Sequence, residues 1–127
     1  MAYLQVFARG SGGWRNAYRP TNGYGLELAS HSTTVTLSRT VNGTTTSLGS
    51  VSGAQQVGTA KQWVRLRVVG STVQYKTWTD AQTEPAAWRA TVTDSSITAP
   101  GQLFTSLVRG GTNSGAKSVQ LDDLTVR

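Results

Sequence analysis

The chain has 127 residues with 12 lysines and arginines against 6 aspartates and glutamates, a net charge of +6. Its length fits one domain, residues 1–127, and the absence of cysteine excludes a disulfide framework, a thiol nucleophile and a cysteine-based zinc site. The pI near 10.3 favours anionic partners without choosing among them. The basic residues are scattered and carry no RNA-binding or helix-turn-helix signature, so nucleic acid is not the expected primary ligand. No apolar run approaches a membrane span, and no charged-then-apolar leader opens the chain; neither membrane insertion nor Sec-type export is expected.

No long window keeps apolar residues at helical spacing, whereas Thr, Ser, Val and 14 Gly suit short strands joined by tight turns. In chain order the pattern predicts about nine strands, at 2–9, 22–30, 33–41, 44–51, 62–69, 72–79, 88–94, 102–109 and 117–126. Gly10-Ser11-Gly12-Gly13 reads as a flexible connection, since it lacks the lysine and glycine spacing of a nucleotide-binding loop. Asn42-Gly43 suits a two-residue type I′ turn and pairs Val41 with Thr44, Arg39 with Thr46, Leu37 with Leu48 and Val35 with Ser50. The opposite face of that hairpin carries Thr34, Thr36, Ser38, Thr40, Thr45 and Ser47 and is expected to meet solvent or a partner. Asn42-Gly43-Thr44 is also a formal glycosylation sequon, but the turn explains these residues without a glycan.

Gly70-Ser71 forms a second turn. It sets Val68 against Val73, Leu66 against Tyr75 and Val64 against Thr77 as a core face. The other face then pairs Arg67 with Gln74, Arg65 with Lys76 and Trp63 with Trp78. Like charges directly opposite each other are destabilising by about a few tenths of a kcal/mol, so Arg65 and Lys76 require an acid, solvent or a bound anion beside them. At the end of the chain the apolar positions switch from odd (Val119, Leu121) to even (Leu124, Val126) across Asp122-Asp123, which implies a bulge or a move between sheets.

The segment from Trp63 to Trp78, its continuation Thr83-Glu84-Pro85-Ala86-Ala87-Trp88 and the closing run from Val119 to Val126 resemble the concanavalin A-like, laminin-G-like jelly-roll domains. Among these, the chain looks most like the C-terminal domains of virion proteins of phages infecting actinobacteria, such as minor tail or decoration-type proteins. The likeness covers residues 22–127 well and the first twenty loosely. It implies an all-β antiparallel sandwich of jelly-roll type, located on a virion surface or outside the cell. The non-catalytic role it implies is that of a structural surface, tail or capsid-decorating subunit that self-associates or docks on other virion subunits. The alternative is a carbohydrate-binding host-attachment module. Such domains usually have further N-terminal strands, one of which pairs with the closing strand. Either a second copy or another subunit supplies that partner here, or Ala2–Arg9 takes the place in a shortened domain.

Hydrolysis of a glycoside requires two carboxylates about 5–10 Å apart across a cleft. The chain offers only Glu27, Asp80, Glu84, Asp94, Asp122 and Asp123, without the Glu-x-Asp-x-x-Glu strand of the superfamily's glucanases, so no catalytic residues are expected. His31 is the only histidine, and no nucleophile triad accompanies it. Asp122 and Asp123 are the candidates for a calcium ion, the one cofactor to consider, although a salt bridge or turn hydrogen bond is favoured in so basic a protein. Trp78 with Arg65, Arg67 and Lys76 is the candidate aromatic platform for a cell-surface or acidic glycan, while Trp63 and Trp88 read as packing. Trp14, Arg15, Tyr18 and Arg19 form a second aromatic–basic cluster, of the composition enriched at subunit interfaces.

Overall fold

A computed structural model describes residues 2–16, 18–111 and 115–127. Among these residues there is no helix. The strands are β1 (Ala2–Asn16), β2 (Arg19–Ala29), β3 (Val35–Val41), β4 (Thr44–Val51), β5 (Gln62–Val69), β6 (Thr72–Thr79), β7 (Ala90–Thr93) and β8 (Gln102–Arg109). They form two antiparallel sheets, one of five strands in the order β4-β3-β2-β1-β8 and one of three in the order β5-β6-β7. The result is an all-β sandwich.

The alternation of side chains decides what each sheet buries. On the large sheet, Tyr24, Leu26 and Leu28 of β2 lie beside Arg39, Leu37 and Val35 of β3 and face the small sheet. Val73 and Tyr75 of β6 meet them, joined by Ala54 and Ile97, to make the buried core. Each fully buried side chain of this size contributes roughly 1.5–3 kcal/mol of transfer free energy, and the contact between β2, β3 and β6 is where most of it is gathered.

The hairpin of β5 and β6 has the register its turn predicts, from Trp63 opposite Trp78 to Val68 opposite Val73. The hairpin of β3 and β4 keeps its expected pairs from Val41–Thr44 through Arg39–Thr46, with Asn42 and Gly43 both at positive φ as a type I′ turn requires. A bulge then shifts the register, so Leu37 faces Gly49 and Val35 faces Val51 rather than Leu48 and Ser50. The bulge lets Leu48 and Val51 both pack against the core.

Three sequence expectations are corrected. Gly10–Gly13 is not a flexible connection but part of β1, which continues with β2 through successive register shifts. A Cβ at Gly10 would strike the Phe104 ring, so the glycine serves close packing. The hydroxyl face of β3 does not all meet solvent: Thr40 and Ser38 are buried. Pro20, on the returning β1–β2 hairpin, sits against Gly23, the cross-strand partner of Thr40.

The third correction concerns 117–126, which is not a strand. Asp123 has φ of 54°, which breaks an extended path, and Val119, Leu121, Leu124 and Val126 remain exposed. An extended segment holds its shape through a paired backbone, and this one forms no ladder.

Three strands cannot cover five. The small sheet lies over β2 and β3, and an open groove of about 1390 Å³ remains beside β5, above the inner faces of β1 and β8. Leu4, Val6 and Leu107 line one wall and Val64, Leu66 and Val68 the other, with the 118–127 segment at its border.

Candidate functional site

The outer face of the small sheet brings together the aromatic and basic residues that the hairpin register placed on one side. The Trp63 and Trp78 rings stack nearly parallel, 6.0 Å apart, and the Trp63 indole N–H donates to Asp80 Oδ1 at 2.9 Å. Glu84, on the loop from β6 to β7, answers the like-charge pair: its Oε1 lies 3.1 Å from Arg65 Nε and 3.0 Å from Lys76 Nζ. The same loop supplies Pro85 O, which accepts from Lys76 at 2.6 Å, and Trp88, whose ring lies 4.8 Å from Lys76 Nζ and 6.0 Å from the Arg67 guanidinium.

The loop therefore seals the face. Trp78 is only 9% exposed and Lys76 is buried, so Trp78 does not stand open as the platform expected from the register. Arg65 and Arg67 stay exposed at the rim. With Glu84 one-third exposed, Glu84→Gln is expected to lower stability by no more than about 1 kcal/mol in dilute buffer, and less in 1 M salt, by urea unfolding.

The second cluster has a different place. Trp14 packs edge-on against Phe104 with ring centroids 4.8 Å apart, Arg19 lies over Phe7, and Ser106 Oγ donates to Tyr18 O at 3.0 Å. Arg19 also pairs with Glu27 at 3.2 Å, and Glu27 accepts from buried Gln5 at 2.7 Å. The end of the β1–β2 hairpin thus covers the outer face of the large sheet, and a Cβ at Gly43 would meet the Arg15 side chain. Trp14 is 50% exposed and Tyr18 38% exposed, so apolar surface remains on this arm.

Asp122 and Asp123 lie 3.4 and 3.0 Å from Lys61 Nζ, and the Asp123 amide donates to Asp122 Oδ1. Among the described residues no group of three or more His, Cys, Asp or Glu is placed to hold a metal ion. Both carboxylates are more than half exposed, so these ion pairs contribute little to stability.

The most constrained polar cluster was not singled out by sequence reasoning. Asp94, after β7, reaches the inner face of the large sheet, where it accepts from the Tyr24 hydroxyl at 2.7 Å, from the Ser96 amide at 2.9 Å and from Arg39 through a short ion pair. Burial alone would raise this carboxyl; the bonds from Tyr24, Ser96 and Arg39 outweigh it and hold the pKa at about 2. Burial and the bond to Asp94 raise Tyr24 in turn. The available signal was Arg39 itself, which falls on the apolar side of β3 and must find a counter-charge there.

Arg9 performs a similar linking role. Its guanidinium donates to Gly70 O and Ile97 O, both at 2.8 Å, tying the bulge of β1 to the turn of the small sheet.

No helix is long and apolar enough to cross a membrane among the described residues. Compared with known proteins, the chain matches no family model, no curated protein and no solved structure.

Proposed function

We propose that this chain is a non-catalytic structural module, a jelly-roll subunit of a phage virion, that joins an assembly by covering the groove beside β5 with a second copy. The observation that carries the reading is the groove itself. Both of its walls are apolar, β5 presents an unpaired strand edge along it, and the apolar residues of 117–126 are exposed nearby. An open strand edge with an apolar face beside it is a template for another chain.

Each of the six acids is engaged by a partner within the chain. Glu27 is bound by Arg19 and Gln5, Asp80 by Trp63, Glu84 by Arg65 and Lys76, Asp94 by Tyr24 and Arg39, and Asp122 and Asp123 by Lys61.

Light scattering on the purified chain, with circular dichroism on the same sample, tests the proposal. A defined oligomer is expected, reduced to a folded monomer by Leu66→Asp in the groove wall. A wild-type chain that is folded and strictly monomeric at micromolar concentration overturns it.

A further inference from the structure

The groove beside β5 and the closing residues 117–126 are two unsatisfied surfaces of complementary pattern. Among the described residues β5 pairs on one side only, with β6, so its other edge presents free backbone groups along the groove. Val64, Leu66 and Val68 face inward from β5. The alternate positions project from the other face, where Arg65 meets Glu84, Arg67 lies over Trp88 and Lys61 lies over Trp63.

The closing segment carries the matching sequence. Val119, Leu121, Leu124 and Val126 are 42%, 51%, 66% and 66% exposed. On a regular strand the first two would face away from the last two, because the step from Leu121 to Leu124 is odd. A bulge removes the conflict. With Asp122 and Asp123 set together against one partner residue, all four apolar side chains fall on one face and both acids on the other. Asp123 already holds φ of 54°, a single left-handed residue of the kind a bulge accommodates. The acids then share a face with Lys61, Arg65 and Arg67, and Lys61 Nζ already lies 3.4 and 3.0 Å from the two carboxylates.

Within one chain neither surface is used in this way. Both acids are held at Lys61, one residue before β5 begins, and the segment stays at the border of the groove without a backbone ladder. A second copy satisfies both surfaces at once. We infer that two chains exchange their closing segments, 117–126 of each adding a fourth strand to the β5 edge of the other. Val119, Leu121, Leu124 and Val126 then pack over Val64, Leu66 and Val68, and Asp122 and Asp123 lie beside the basic face. The same surfaces meet twice across a two-fold axis, so the assembly closes as a dimer with no β5 edge left open. The exchange presupposes that the groove is an assembly surface and specifies which part of the partner fills it.

Light scattering and circular dichroism on full-length variants test the exchange. Wild type is expected at twice 13.5 kDa. Leu121→Asp and Leu124→Asp change residues that are exposed in the single chain, so each is expected to stay folded and to fall to 13.5 kDa. Gln120→Asp lies on the opposite face of the segment and is expected to keep the dimer. The chain has no cysteine of its own, so Val64→Cys in one chain and Leu121→Cys in another can be refolded together and treated with a short bis-maleimide. The mixture is expected to cross-link about ten-fold faster than either variant alone, since neighbours held together react at a high effective concentration. Loss of the dimer in Gln120→Asp, or a mixture that cross-links no faster than its components, overturns the exchange. A dimer that Leu66→Asp dissociates but Leu121→Asp and Leu124→Asp leave intact also overturns it, and leaves the groove as an assembly surface filled by another part of the chain. A wild-type monomer overturns the assembly itself, and the exchange with it.

Discussion

Asp94→Ala will lower the stability of the chain by about 3 kcal/mol, measured by urea unfolding at neutral pH. The side chain it removes is 6% exposed and is the shared acceptor of Tyr24, Arg39 and the Ser96 amide. Its loss strands a guanidinium on the inner face of the large sheet, which is the expensive half of breaking a buried pair. Arg39 keeps one-third of its surface in water, and this holds the loss near the lower end of the range for such pairs. Tyr24→Phe removes one bond and leaves the ion pair, so it will lose only about 1 kcal/mol.

The same carboxyl makes stability depend on pH, in a direction that follows from its shift. Its pKa falls from 3.8 to about 2 on folding, so the folded form holds the proton more weakly than the unfolded chain. The stabilisation is complete above about pH 4 and disappears as the pH falls through 2, with a total of about 2 kcal/mol. Wild-type unfolding free energy will therefore drop across that window, and the drop will be flatter in Asp94→Ala. Equal slopes would show that the burden of acid unfolding lies elsewhere.

Gly101→Ala will cost about 1–3 kcal/mol although it adds one methyl group at an exposed turn. A Cβ at Gly101 would lie 2.5 Å from the carbonyl carbon of Arg9 and 2.6 Å from Gly10 O. Both are main-chain atoms of the β1 bulge, where Arg9 holds φ of 52° and reaches across to Gly70 and Ile97. A clash against a side-chain end is relieved by a rotamer change; this one requires β1 and β8 to move apart. Ser95→Ala, also at an exposed position, is the control and will change stability by less than about 0.5 kcal/mol.

What the sequence disclosed depended on how local the cause was. The β5–β6 hairpin was legible residue by residue because the Gly70-Ser71 turn sets the register, and Glu84 is the acid that its like-charge pair demanded. The sealing of that face was not legible, since it depends on where the 80–89 loop folds. Asp94 was missed for a similar reason: it stands alone in a polar run, and its partners Tyr24 and Arg39 come from strands far away in the chain. Alternation in 117–126 identified a segment suited to a strand, but pattern alone does not provide a neighbour to pair with.

The sheet order also sets a timetable. Every strand pairing joins sequence neighbours except one, where β8 returns to lie beside β1. Hairpins between neighbours close early because the intervening chain is short, whereas the joining of Ala2 to Arg109 must wait for almost the whole chain to be ordered. During synthesis β1 emerges first and its free edge is satisfied last. The long interval exposes Leu4 and Val6 to other nascent chains, and the rate of productive folding will be set by that final closure.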